Sequence, residues 1–289
     1  MRVKSKTWLF LLVLLVFYTQ TKAQNLAYKK KYRIMTHNIR LDVASDGENR
    51  WDLRKERVAE LIRFHEPAFW GGQEVQHHQL QYLLSQLPGY KHIGVGRDDG
   101  KTGGEYSPIL YDTLRFEPVW QGTFWLSERP DTVSRGWDAA CNRVCTWGLF
   151  RKRFSYDFPL VLVLNTHFDH MGDTARKKSA ELILRKIREL NPDSNATIVM
   201  GDFNSEPGQP AIQTLETMLF ETRNQSKEIL GNADTWNAFR FQEKPKGWID
   251  HIFTYPKDRF QIRKYATLTD SYDLKYPSDH FPVLVELGF

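Results

Sequence analysis

Between residues 107 and 166 the chain runs through four apolar, β-type stretches with no helical pattern among them: Ser107 to Tyr111, Leu114 to Phe124, Val144 to Arg153 and Leu160 to Thr166. Strands that follow one another directly pair as antiparallel neighbours, so a doubly wound parallel sheet, with a crossover helix after every strand, does not fit. Helical spacing occurs on either side. Residues 51–65 align Val58, Leu61 and Ile62 before Pro67, a helix near 77–87 stops at Pro88-Gly89, and residues 174–190 align Ala180, Ile183, Leu184 and Ile187 before Pro192. Further strands are predicted over 32–39, 68–74, 197–200, 249–254 and 281–287, while residues 221–247, poor in apolar side chains, read as a long surface loop. Each kind of element must bury a face. The expected fold class is therefore α/β, with two mixed, mainly antiparallel sheets packed face to face and helices outside, in a single domain over 24–289.

The first 23 residues have the form of a secretory leader. Arg2, Lys4 and Lys6 precede an apolar run from Trp8 to Tyr18, and Thr21-Lys22-Ala23 makes a small-residue cleavage site. Eleven apolar residues are too few to span a bilayer, which needs about 20. An exported, periplasmic or extracellular, monomeric protein is expected. Four of the 40 basic residues and none of the 35 acidic ones fall in this leader, so the remaining chain carries a net charge of only +1. That balance gives no support for a strongly basic nucleic-acid face.

Two cysteines, Cys141 and Cys145, cannot make a disulfide framework. In an extended strand their Cα atoms would lie about 13 Å apart, too far to bridge; pairing across a local loop stays open. Gly100-Lys101-Thr102 resembles the end of a phosphate-cradling loop, but Val95 stands where that loop needs glycine. A turn around Asp99-Gly100 is predicted instead.

The chemistry concentrates in short polar motifs beside apolar runs. Gly201-Asp202-Phe203-Asn204 follows Thr197-Ile198-Val199-Met200, Asp250-His251 follows Gly247-Trp248-Ile249, and Ser278-Asp279-His280 lies near the C-terminus. Carboxylates at strand ends stay ionised and can converge, which points to a hard-cation site acting on phosphate. Asp202 and Asn204, two apart, would share a side in an extended segment; a polar turn before Pro207-Gly208 is the alternative. His167 leaves the run Leu160–Leu164 and could meet a phosphoryl oxygen or a leaving group, with Asp169 and His170 close by as another working pair. Glu74 follows Gly71-Gly72, where the backbone can approach a neighbour closely.

Taken in order, Thr36-His37-Asn38, Gln73-Glu74, Asn165-Thr166-His167, Gly201-Asp202-Phe203-Asn204, Ile249-Asp250-His251 and Ser278-Asp279-His280 resemble the endonuclease/exonuclease/phosphatase superfamily over residues 32–289. The resemblance implies a four-layer α/β/β/α sandwich and hydrolysis of a phosphate ester by activated water. It implies Mg²⁺ as cofactor, with Mn²⁺ as the alternative, held by Asn38, Glu74 and Asp279. It further implies that Asp250 orients His280, that Asp202 binds or deprotonates the nucleophile, that Asn204 holds the phosphate, and that Glu105 supports His167. Arg143 matches a phosphate-contacting arginine. Some relatives carry a metal-binding acid where this chain has Arg40, which puts a second metal in doubt.

The stretches Gly96–Gly100, Glu105–Ile109 and Phe124–Ser127 are similar to the nocturnin-like branch, which implies a 3′-exonuclease or a small-molecule phosphatase. Nucleic acid, nucleotides, sugar or inositol phosphates and phospholipid head groups all remain as substrates. A binding protein without catalysis is the contrasting class. Trp70, Trp125, Trp147 and Trp248 lie in apolar runs and are expected in the core.

Overall fold

Burial sorts the apolar side chains into three clusters, and the clusters define the layers. Alternation along single strands does the sorting: Val161 and Val163 join one cluster, Leu162 and Leu164 another. The computed structural model describes residues 31–154 and 160–289, so the leader expected over 1–23 lies outside the described residues.

In chain order the elements are β1 (Tyr32–Asn38), α1 (Trp51–His65), β2 (Phe69–Gln73), α2 (His77–Gln86), β3 (Tyr90–Ile93) and β4 (Ile109–Asp112). Then come β5 (Phe116–Trp125), β6 (Val144–Lys152), β7 (Val161–His167), α3 (Asp173–Leu190) and β8 (Ala196–Asp202). The last third holds α4 (Pro210–Glu216), β9 (Phe220–Glu221), α5 (Thr222–Gln225), β10 (Glu228–Leu230), β11 (Asp250–Tyr255), β12 (Gln261–Thr267) and β13 (Val283–Gly288). One sheet has the order β10-β12-β13-β1-β2-β4-β3, the other β5-β6-β7-β8-β11-β9. Most neighbours are antiparallel; β1/β2, β7/β8 and β10/β12 are parallel.

Phe69, Ile109, Phe150, Val163, Ile198 and Val285 fill the space between the sheets. Val58 and Ile62 of α1 and Leu80 and Leu83 of α2 cover the outer face of the first sheet against Met35 and Trp70. Ile183 and Ile187 of α3 and Ile212 of α4 cover the second against Leu162 and Val199. The α/β/β/α sandwich follows directly, and each large side chain sealed in it contributes roughly 1.5–3 kcal/mol.

The sheets are also pinned by polar groups. The Gln73 amide donates to Asn165 Oδ1 at 2.7 Å, and Asn165 Nδ2 donates to the carbonyls of Gly72 and Pro108 at 2.8 Å each. A Cβ on Gly71 would lie 2.7 Å from the Asn165 side chain, so glycine there is what lets the sheets close up.

Two expectations need correcting. Residues 221–247 are not simply a surface loop: they supply α5 and β10, and Thr235 and Asn237 are buried. Their buried groups are polar, so an apolar pattern could not announce them. Trp70, Trp125 and Trp147 are buried, but Trp248 is only half-buried, its ring stacked on His251 at 5.3 Å. In agreement with the sequence reading, Cys141 and Cys145 are unpaired, both free thiols. The turn at Asp99-Gly100 is present, with Asp99 Oδ1 accepting from Lys101 and Gly103 N–H and Gly100 at φ +69°. Among the described residues no helix is long and apolar enough to cross a membrane.

Candidate active site

Strand direction gathers the polar motifs on one rim. Parallel β1 and β2 end together, as do parallel β7 and β8, while β11 and β13 run antiparallel to β8 and β1 and so begin there. Asn38, His167 and Asp202 are the last residues of their strands, and Glu74 follows the last of β2. Asp250 opens β11 rather than following a strand, and Asp279 and His280 stand just before β13. The strand predicted over 249–254 is thus present with Asp250 at its start, and the apolar run Gly247-Trp248-Ile249 before it forms no strand of its own.

At the floor, His280 Nδ1 donates to Asp250 Oδ2 at 2.8 Å, which aims Nε2 at Asp202 Oδ2, 3.8 Å away. His167 Nε2 lies 3.5 Å from the same Asp202 oxygen. Asn38 Nδ2 donates to Asp202 Oδ2 and to Glu74 Oε1, both at 3.0 Å, and its Oδ1 accepts from Arg40 N–H while keeping a second lone pair. Burial opposes the charge on His280, but Asp250, Asp202 and Asp279 outweigh it and raise its pKa well above 6.5. Burial and the nearby Arg143 and Arg97 push His167 well below 6.5, keeping it neutral. Burial raises the Asp202 carboxyl and Asp250 adds to the shift, against His280 and the Asn38 amide.

Asn204 does not sit in an extended segment. Its φ is +46°, its N–H donates to Asp202 Oδ1 at 2.9 Å, and its amide donates to the Phe168 carbonyl at 3.0 Å. The turn reading was the right one, because the Asp202 carboxylate offers the backbone a local partner. Arg40 and Glu74 also hold positive φ, +58° and +59°. Such strained backbone persists only where surrounding bonds over-determine it, and it concentrates at functional sites.

The remaining candidates line the same cleft, about 480 Å³ in volume. Glu105 pairs with Arg97 at 2.7 Å, and its other oxygen is 3.9 Å from His167 Nδ1. Arg143 is buried; its Nε faces Asp169 at 3.4 Å, its Nη2 faces His170 at 3.0 Å, and its Nη1 has no partner among the described residues. Asp169 is no catalytic partner in this arrangement. Its Oδ1 accepts the N–H groups of Ala140, Met171 and Gly172, which fixes the loop carrying Arg143.

A hard cation fits the rim. Burial raises the Asp279 carboxyl and Glu74 adds to the shift, so two acids stand close enough to repel, and Asp250 Oδ1 is buried without a partner among the described residues. An all-oxygen set of this kind suits Mg²⁺ or Mn²⁺. Asp202, Asp250 and His280 also bring one donor atom each within 4.8 Å of one another. Arg40 Nη1 lies 3.8 Å from Glu74 Oε2, so a second cation beside Glu74 would meet a guanidinium.

Motif reading missed three contributors. Arg54 of α1, buried, donates to the carbonyls of Ile39, Arg40, Asn49 and Pro277, tying the segments after Asn38 and before Asp279 together. Arg97 and Trp236 line the cleft. No spacing rule marks any of them.

The family model for the endonuclease/exonuclease/phosphatase family matches residues 35–280, from β1 through His280. The chain belongs to that family. An endonuclease/exonuclease/phosphatase protein from Bacteroides vulgatus is 38% identical, with a TM-score of 0.84 over 90% of this chain and 99% of that one. A mannosyl-6-phosphatase from Bacteroides thetaiotaomicron is 37% identical, with a TM-score of 0.84 over 89% of this chain and 100% of its own. The human nocturnin catalytic domain is 21% identical with a TM-score of 0.68, a likeness of fold alone. No match is found among curated protein sequences. Membership of the family makes the chain a hydrolase type acting on phosphate esters, and it agrees with the expected sandwich of two mixed sheets.

Proposed function

We propose that this protein is a divalent-metal-dependent phosphatase that removes the phosphate of a sugar phosphate by direct attack of water. The observation that carries the reading is the convergence of the His280–Asp250 pair and Asp202 on one cleft with buried Arg143, whose Nη1 has no partner among the described residues. The substrate class draws support from the mannosyl-6-phosphatase, 37% identical along its whole length.

Asp202 takes the proton of the attacking water, as an acceptor whose raised proton affinity suits a general base near neutral pH. His280, charged beside three carboxylates, stabilises the negative charge on the phosphoryl group. His167, neutral, offers an N–H, while Asn204 and Arg143 hold phosphate oxygens. Glu74, Asp279 and the free lone pair of Asn38 Oδ1 would hold Mg²⁺ or Mn²⁺, which supplies further charge stabilisation to phosphoryl and leaving oxygens. The P–O bond to the sugar breaks, giving inorganic phosphate and the free sugar with no covalent enzyme intermediate. The leader-like residues 1–23 make an exported site of action part of the same reading.

Purified protein with Mg²⁺ should release phosphate from mannose 6-phosphate and lose that activity in EDTA. Faster turnover of bis-p-nitrophenyl phosphate or of nucleic acid than of any sugar phosphate would replace the monoesterase reading with a phosphodiesterase.

A further inference from the structure

The segment 235–237 is wedged between the two stretches that deliver Asp250 and His280. On one side Thr235 N–H donates to the Gly247 carbonyl at 3.0 Å, and Trp236 and Lys246 exchange N–H···O bonds at 3.1 and 2.8 Å. On the other, the N–H groups of Asn237 and Ala238 donate to the Asp279 carbonyl at 2.8 and 3.1 Å, and Phe281 N–H donates to the Thr235 carbonyl at 2.7 Å. The side chains continue the suture: Asn237 Nδ2 donates to the Ser278 carbonyl at 3.1 Å, and Thr235 Oγ1 accepts from Asp250 N–H at 3.3 Å.

Extended backbone alternates its side chains, and here the alternation is sharp. Thr235 is 0% exposed, Trp236 39% and Asn237 5%. The two polar residues point inward and hold the catalytic segments, so the indole is left on the cleft side, where it lines the cavity with Leu41 and Ile249. A large indole kept two-fifths exposed beside buried Asp202 and His280 gives up transfer free energy that a core position would recover. Its backbone bonds fix where its Cα stands relative to His280, which reduces the part of the ordering cost that the main chain would otherwise add on binding. Most of the other lining groups, among them Arg97, Arg143, His170 and Asn204, are polar.

We propose that Trp236 is the binding platform for the sugar ring of the substrate, the residue by which this cleft favours a cyclic sugar phosphate over an open-chain ester. The inference rests on the sugar-phosphatase reading above and deepens it. A pyranose has one face of C–H groups and a rim of hydroxyls. The C–H face would lie on the indole, the hydroxyls would meet the polar lining, and the phosphate at C6 would reach toward Asp202 and His280.

The test compares the wild-type protein with Trp236→Ala, Trp236→Leu and Trp236→Phe, on mannose 6-phosphate, glycerol 3-phosphate and adenosine 5′-monophosphate with Mg²⁺. Losing the ring face should lower the ratio of kcat/KM for mannose 6-phosphate to that for glycerol 3-phosphate by roughly tenfold, mostly through KM. Trp236→Leu, which keeps apolar bulk and guards against a folding failure of the alanine variant, should lose the ratio too; Trp236→Phe should restore most of it. A ratio within about twofold of wild type in both the alanine and leucine variants, with the wild type active on mannose 6-phosphate, overturns the platform alone. Selective loss of adenosine 5′-monophosphate turnover with mannose 6-phosphate unaffected assigns the indole to a base and overturns it as well. A wild type inactive on both sugar and glycerol phosphates overturns the phosphatase reading itself, and the platform with it.

Discussion

Asp202 and Asp250 stand directly opposite each other in the antiparallel pairing of β8 and β11, one closing its strand and the other opening it. Two buried carboxylates so placed repel, and the molecule settles the repulsion by setting the His280 ring between their roles, bonded to one and facing the other.

The first prediction concerns that pair. Asp250→Asn keeps the shape but removes the charge that holds His280 oriented and protonated. Turnover should fall by roughly 10²–10³ with little change in KM, in keeping with the worth of a preorganised charge aimed at the transition state. A kcat within threefold of wild type would show that His280 does not depend on Asp250.

Glu74→Gln tests the cation site separately from the chemistry. Mg²⁺ that binds the folded chain must raise its melting temperature. The rise should be clear in the wild type and absent in the variant, with activity down by about a hundredfold or more. An equal Mg²⁺-dependent rise in both proteins would move the ion elsewhere.

Arg54 predicts a stability effect from a residue that belongs to no motif. Truncation to alanine strands carbonyls of Ile39, Arg40, Asn49 and Pro277 that it now satisfies. Bonds to charged donors are worth about 1.5–3 kcal/mol each and part of this is recovered by water, so a net loss of about 2–4 kcal/mol is expected from urea unfolding. Loss below about 1 kcal/mol would mean the clamp contributes little to holding the rim.

A fourth prediction follows from His251, buried with Nδ1 2.8 Å from Glu221 and Nε2 3.0 Å from the Ser205 carbonyl. Both partners are acceptors, so both ring nitrogens must donate, and the ring is an imidazolium. Burial opposes that charge, but Glu221 and Ser205 overcome it and raise the pKa above 6.5. A raised folded-state pKa gives stability that is full below about pH 6.5 and fades as pH climbs through the folded value. Glu221→Ala should therefore cost about 3–5 kcal/mol near pH 6 and less near pH 9. A gap between wild type and variant that widens with pH would reverse the sign and remove the imidazolium.

The sequence by itself determined the layers. Uninterrupted strands over 107–166, helical stripes such as Ala180, Ile183, Leu184 and Ile187, and the order of six polar motifs were local patterns, readable because side-chain period and turn residues are written in adjacent positions. Only the tertiary structure decided that Asn204 closes a turn on Asp202, that Asp169 mounts Arg143, and that Trp236 and Arg54 belong to the site at all. Each of these depends on a partner between 2 and 223 residues away, and strand direction, not composition, brings such partners together.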